Sequence, residues 1–96
     1  MRPSEALSRH RDAILRATAR VKASSVRVFG SVARGEDTET SDLDILVEVP
    51  KGVTLLDMVS LQRELEDVLG ISVDVVTPFD LPERIRDRVQ LEARNL

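Results

Sequence analysis

The sequence predicts an α+β fold in which helices cover a small mixed sheet of three strands. Short β-branched runs alternate with amphipathic stretches along the chain, a pattern typical of helices packed on a sheet. The length of 96 residues suits one compact domain and leaves no room for a second. Hydrophobic residues make up 42% of the chain and charged residues 32%, as in a folded globule. We therefore expect a single domain spanning residues 1–96.

The first element is predicted to be one long amphipathic helix. It begins near Pro3, because proline is favoured in the first turn of a helix. One stripe of side chains recurs at spacings of three and four residues, which is the spacing of a single helix face. The stripe consists of Leu7, His10, Ile14, Ala17 and Val21.

Two strands and a helical turn are predicted next. Residues 25–29 alternate, are rich in β-branched side chains, and stop at Gly30. Residues 31–34 fit one helical turn closed by Gly35, and the polar stretch after that glycine fits a loop. The apolar run at 43–49 then predicts the second strand.

The second half of the chain predicts a helix, a strand and a helix. Residues 54–69 keep helical spacing, and Gly70 lies where a C-terminal cap glycine belongs. The third strand covers residues 71–76, and a last helix starts at Pro82. The second and third strands are joined by a helix, which predicts parallel pairing. The first two strands are expected to run antiparallel, with the helices on one side of the sheet.

Composition excludes several classes of protein. Lys and Arg number 14 against 17 Asp and Glu, for a net charge of −3 and no basic tract, so tight nucleic-acid binding is not expected. There is no cysteine, which excludes disulfides and thiolate metal sites. No apolar run is long enough to cross a membrane, and the chain opens without an apolar leader. A cytoplasmic location is the default expectation.

Three carboxylates are predicted to share one face of the sheet. Side chains alternate across a strand, so Asp42 and Asp44 point away from the apolar set of the second strand. Asp74 does the same in the third strand. Carboxylates held this close repel one another unless a cation lies between them. Mg²⁺ prefers such oxygen ligands, and two ions about 4 Å apart serve phosphoryl and nucleotidyl transfer.

The turn after the first strand supplies groups suited to phosphate. Gly30 allows close approach of the backbone, and Ser31 offers a hydroxyl at the start of a short helix. Arg34 or Arg27 would add charge-assisted hydrogen bonds. The turn and the aspartates together predict a site for a metal-bound phosphate group.

These residues resemble a known family. Gly30 and Ser31, ten residues, and then Asp42-Leu43-Asp44 match the GSx10DxD signature of the DNA polymerase β-like nucleotidyltransferases. Asp74 stands where the third carboxylate of that superfamily is expected. The whole chain, including its ending PERIRDRVQLEARNL, resembles the minimal nucleotidyltransferases (MNT), the antitoxin components of HEPN/MNT toxin-antitoxin modules.

The resemblance implies a nucleotidyltransferase fold, a site and an activity. Gly30 and Ser31 would hold the triphosphate of ATP, Asp42 and Asp44 would bind two Mg²⁺, and Asp74 would complete the catalytic metal site. The implied reaction transfers AMP from ATP to a tyrosine of a HEPN ribonuclease toxin. The chain itself contains no tyrosine, so on this interpretation the acceptor lies in another protein.

Two alternatives remain open from the sequence. An antitoxin of this fold could neutralise its toxin by binding alone, without catalysis. A small molecule such as an aminoglycoside could also be the acceptor, but a chain of this size would offer the needed pocket only at an interface of a homo- or hetero-oligomer.

Overall fold

A computed structural model describes all 96 residues. The order of elements agrees with the predicted α+β class, with one more strand and one more helix than expected. The helices and strands are α1 (Pro3–Arg9), α2 (Arg11–Arg20), β1 (Ser25–Phe29), α3 (Ser31–Arg34), β2 (Leu43–Glu48), α4 (Leu55–Leu69), β3 (Val73–Val76), α5 (Glu83–Glu92) and β4 (Arg94–Asn95).

The sheet is mixed and has the order β3-β2-β1-β4. β1 and β2 are antiparallel and β2 and β3 are parallel, which confirms both predicted pairings. β4 was not expected: Arg94 and Asn95 pair antiparallel with β1, on the edge away from β2. Two residues are too few to show strand alternation, and the sequence pattern instead favours extending the last helix as far as Arg94. The sheet therefore has four strands rather than three.

The prediction of one long first helix is wrong. The chain forms two helices, because His10 leaves the helical conformation with φ −118° and ψ 22°. Ala6, Ile14 and Ala17 are all buried, so the two helices present one continuous apolar stripe. A break of a single residue keeps both helices on the same face, so periodicity alone does not reveal it.

The main core lies between one face of the sheet and helices α1, α2 and α4. Leu43, Ile45 and Val47 of β2 point into it and are fully buried. Helix α4 carries Leu61 and Leu65 into the same cluster. It begins and ends as predicted, with Thr54 capping its first turn and Gly70 closing it at φ 69°.

The helices do not all lie on one side of the sheet, which corrects the sequence prediction. Leu46 points to the face opposite the main core and is nevertheless fully buried. Arg27 stands opposite Leu46 in the β1–β2 register and donates from Nη2 to Oε1 of Gln90 in α5, over 2.6 Å. Helix α5 therefore packs on this second face, with Val89 buried. None of the helices is both long enough and apolar enough to span a bilayer.

Candidate functional site

Gly30, directly after β1, is in close contact with Asp44. Its φ of 72° and ψ of −149° lie in a region that is essentially restricted to glycine. The antiparallel register places Phe29 opposite Asp44, so the carboxylate lies over the turn. A Cβ atom on Gly30 would lie 2.3 Å from Oδ2 of Asp44, inside any normal contact distance. The turn and the carboxylate therefore fit together only because residue 30 has no side chain.

Asp74 lies beside Asp44 on the same face of the sheet. The two are register partners on the parallel strands β2 and β3, and partners in a parallel pair project to the same side. Val73 and Val75 point to the core on the other side. Asp42 stands two residues before Asp44, at the entrance to β2, and is exposed. The structure thus brings the three aspartates to one surface, while their catalytic roles remain a prediction.

The electrostatics of Asp44 show how crowded this negative charge is. Burial, followed by the charges of Asp74 and Asp42, raises the pKa of Asp44 to about 6. The guanidinium of Arg34 acts in the opposite direction and only partly offsets these effects. The charged form of Asp44 is thus held in an unfavourable environment, which a cation between the carboxylates would relieve.

The site suits a hard divalent cation in its donor chemistry. As the side chains stand, no three acidic or histidine side chains are grouped closely enough to hold a metal ion. The available donors are carboxylate oxygens, with no cysteine or histidine among them, which fits Mg²⁺ and not a zinc site. Mg²⁺ also retains waters and is commonly held by one or two carboxylates together with substrate phosphates. The residues present therefore fit this ion.

Helix α3 forms the predicted helical turn next to these carboxylates. It begins at Ser31 and is closed by Gly35, whose φ of 72° and ψ of 25° are left-handed. Because the cap residue is Gly30, no side-chain oxygen accepts from the first amides of the helix. The Ser31 side chain is partly exposed at this end.

Arg34 is held by two carboxylates. Its Nε donates to Oε1 of Glu36 over 2.8 Å, and its Nη1 donates to Oε1 of Glu92 over 2.7 Å. These two hydrogen bonds raise the pKa of Arg34, so it stays a cation. The predicted phosphate-binding arginine is therefore next to the turn.

Glu92 is a site residue that the sequence interpretation missed. Its Oε2 accepts a hydrogen bond of 2.8 Å from the backbone N–H of Gly30, while its Oε1 accepts from Arg34. The hydrogen bond from Arg34, aided by that from Gly30, outweighs desolvation and lowers the pKa of Glu92. Its position in the last helix, 61 residues beyond Ser31 in the chain, carried no signal that it would reach this turn.

Arg27, the other candidate for phosphate, has different partners. It is mostly buried under α5, where Nη2 contacts Gln90 and, at 3.4 Å, Glu48. Its buried Nε has no hydrogen-bond partner. Arg27 therefore links the sheet to α5 rather than facing the turn.

The loop between the turn and β2 is anchored by Asp37, which sequence reasoning also missed. Asp37 is buried, and its Oδ2 accepts a 2.9 Å hydrogen bond from the backbone N–H of Ser4 at the start of α1. Burial alone would raise the pKa of Asp37, but the hydrogen bonds from Ser4 outweigh it and lower that pKa. Asp37 thus fixes the loop that leads to Asp42.

Comparison with known proteins identifies relatives among the nucleotidyltransferases. The family model described as a nucleotidyltransferase domain matches residues 7–95. A protein of Methanocaldococcus jannaschii, provisionally named a protein adenylyltransferase, is 53% identical over 66 residues, which are 69% of this chain and 71% of that protein. The protein adenylyltransferase MntA of Thermococcus cleftensis is 42% identical over 67 residues, or 70% of this chain and 68% of its own.

Two solved structures share the fold. One, provisionally named a minimal nucleotidyltransferase, superposes with a TM-score of 0.86 at 49% identity, covering 97% of this chain and 95% of the other. The second is a toxin-antitoxin complex with AMP-PNP, with a TM-score of 0.76 at 21% identity, covering 88% of this chain and 69% of that one. At that identity the second likeness is evidence of a shared fold only.

Proposed function

Because this chain belongs to the minimal nucleotidyltransferase family, we propose that it transfers AMP from ATP to a tyrosine of a partner protein. The observation that carries the proposal is the contact of Gly30 with Asp44. It joins the phosphate-binding turn to the aspartate pair without space for a side chain between them. A nucleotide triphosphate on the turn would have its phosphates beside the carboxylates.

Each residue of the site has a role in this reaction. The turn at Gly30 and Ser31 binds and orients the triphosphate, and Arg34 offsets its negative charge. Asp42, Asp44 and Asp74 would hold Mg²⁺, expected as two ions, which would neutralise phosphate charge and favour ionisation of the attacking hydroxyl. Asp74, the register partner of Asp44, would complete the metal site and help to remove the proton of the acceptor hydroxyl.

The proposed transfer forms one P–O bond and breaks another. The tyrosine oxygen attacks the α-phosphorus in line, a new P–O bond forms, and the bond to the β-phosphate oxygen breaks. Pyrophosphate leaves with the electron pair of that bond, and the tyrosine proton passes to solvent by way of the carboxylates. The product is a tyrosine carrying AMP on its oxygen.

The acceptor is proposed to be a HEPN ribonuclease toxin, which would make this chain an antitoxin. Support comes from the resemblance of the sequence to the antitoxins of HEPN/MNT modules and from the relative named MntA. The absence of tyrosine from this chain excludes self-modification on that residue type. For a reaction that consumes ATP and acts on an RNA-cleaving partner, we propose a cytoplasmic location.

The test is labelling of the partner. The chain is incubated with α-labelled ATP, Mg²⁺ and the purified product of the adjacent gene. Asp42→Asn should lower the labelling rate by about a hundredfold or more, because it removes one of the metal-binding carboxylates. Glu39→Gln is the matched control, since Glu39 is an exposed acid in the same loop.

Two results would contradict the proposal. Unlabelled partner after reaction with the unaltered chain would exclude the transfer, and full labelling by Asp42→Asn would exclude the site. Neutralisation of the toxin by an Asp42→Asn, Asp44→Asn double variant at undiminished strength would instead favour the alternative in which binding alone silences the toxin.

A further inference from the structure

The carboxylate of Glu92 connects the last helix to both ends of the turn around α3. One oxygen accepts from the Gly30 amide at 2.8 Å and the other from Arg34 at 2.7 Å. The side chain of Glu92 is 22% exposed and that of Arg34 is 49% exposed, so solvent reaches their ion pair mainly from the arginine side. The other acids of α5, Glu83 and Asp87, are exposed to solvent. Glu92 is thus the acid through which α5 contacts the turn.

Helix α5 is a fixed support for this contact. Gln90 receives the hydrogen bond of Arg27 from the sheet, at 2.6 Å. Arg86 donates to the backbone carbonyls of Pro78 and Leu81, at 2.8 and 3.0 Å. Val89 is buried between these anchors. Because α5 is held at several points, the carboxylate of Glu92 can keep its hydrogen-bond partners in one geometry.

Arg34 keeps donors for a ligand while it is held by Glu92. A guanidinium has five N–H donors, and the protein contacts use Nε and one donor of Nη1. The Nη2 donors and the second donor of Nη1 remain for phosphate oxygens. A free arginine side chain loses about 2 kcal/mol of rotamer entropy when it is immobilised. Holding it in advance removes part of that cost from ligand binding.

We propose that Glu92 is a positioning residue for the nucleotide, acting through Arg34 and the Gly30 turn without touching the phosphates itself. The inference rests on the proposed function, since it takes a nucleoside triphosphate as the ligand of the turn. Removing the charge of Glu92 leaves Arg34 and the turn in place but less restrained. The expected consequence is weaker nucleotide binding and a higher KM for ATP, with a smaller effect on kcat.

The experiment is a double-mutant cycle on nucleotide affinity. Calorimetry measures binding of AMP-PNP with Mg²⁺ to the unaltered chain, Glu92→Gln, Arg34→Gln and the double variant. Glu92→Gln should weaken binding about five- to tenfold, because the ion pair with Arg34 becomes a weaker hydrogen bond from the guanidinium to an uncharged amide. The double variant should lose less affinity than the sum of the two single losses, because part of the effect of Glu92 passes through Arg34. Glu83→Gln is the matched control on the same helix and should bind as the unaltered chain does.

Each other outcome overturns the inference. Additive losses in the double variant would show that Glu92 does not act through Arg34, and thermal unfolding of all four proteins would reveal a role in general folding. Tighter binding by Glu92→Gln would show that the carboxylate competes with phosphate for the turn. Equal binding by Glu92→Gln and the unaltered chain would overturn this inference alone. Failure of the unaltered chain to bind AMP-PNP would overturn the proposed function along with it.

Discussion

Replacing Gly30 by alanine tests the contact on which the site depends. The backbone at Gly30 has φ 72° and ψ −149°, a conformation that costs a residue with a side chain about 1–3 kcal/mol. The new Cβ would also lie 2.3 Å from Oδ2 of Asp44, so the carboxylate must rotate away. An off-rotamer side chain on a half-buried strand costs roughly another 1 kcal/mol. Gly30→Ala should therefore lower the free energy of unfolding by about 2–4 kcal/mol.

Gly35 provides the matched control for this substitution. It has the same φ of 72°, but its ψ of 25° is in the ordinary left-handed region, and nothing lies within 4 Å of a Cβ built there. Gly35→Ala should cost only about 1 kcal/mol. Urea denaturation followed by far-ultraviolet circular dichroism measures both variants, since the chain has no tryptophan.

The double variant Gly30→Ala, Asp44→Ala separates the two contributions. Removing the carboxylate removes the collision and leaves the backbone strain, so Gly30→Ala should cost about 1 kcal/mol less in that background. Adenylylation by Gly30→Ala should fall with the rotation of Asp44, even at temperatures where the variant is folded. Equal destabilisation by Gly30→Ala and Gly35→Ala would refute the close contact.

Two further predictions concern pH and the loop anchor. The fold raises the pKa of Asp44 to about 6. Its charge therefore lowers the free energy of unfolding of the metal-free chain above that pH. This destabilisation disappears as the pH falls toward 3.8, the ordinary pKa of an aspartate. Asp44→Asn should therefore stabilise the metal-free chain by about 1 kcal/mol at pH 8, after allowance for solvent screening, and should leave its stability unchanged at pH 4. A variant that is less stable than the unaltered chain at pH 8 would contradict this prediction. The fold lowers the pKa of Asp37, so its contribution is present at neutral pH and is lost as the pH falls below about 4. Asp37→Ala should cost about 1 kcal/mol at pH 7, as expected for a lost helix cap, and progressively less as the pH falls through the lowered pKa of Asp37, measured by the same denaturation. A cost that does not change with pH would show that the charge of Asp37 adds nothing to its hydrogen bond with the Ser4 N–H.

Much of the fold could be predicted because the sequence patterns that indicate its helices and strands lie within those elements themselves. The helix at Leu55–Leu69 combines an apolar stripe, a threonine cap and a closing glycine, which all lie within its own residues. The pairing of β1 with β2 also followed, because a Gly-Ser turn that meets Asp42 requires antiparallel strands. The break at His10 and the strand Arg94–Asn95 escaped prediction because neither changes a periodic pattern.

Strand alternation was sufficient to group the aspartates. It predicted that Asp42, Asp44 and Asp74 share one face from their positions relative to the buried side chains. The observed register pairs Asp44 with Asp74, and Asp42, just before the strand, is near enough for its charge to act on Asp44. The number and identity of the ions they hold remain predictions from the chemistry of carboxylates and from the family resemblance.

The sequence by itself determined the fold class, the family and the turn with its carboxylates, because periodicity and motif spacing are properties of neighbouring residues. Only the tertiary structure decided which distant side chains complete the site. Glu92 meets Gly30 and Arg34, and Asp37 meets Ser4, across separations of 62, 58 and 33 residues. Such contacts depend on how α5 and α1 pack on the sheet, and packing arises from the burial of surfaces far apart in the chain.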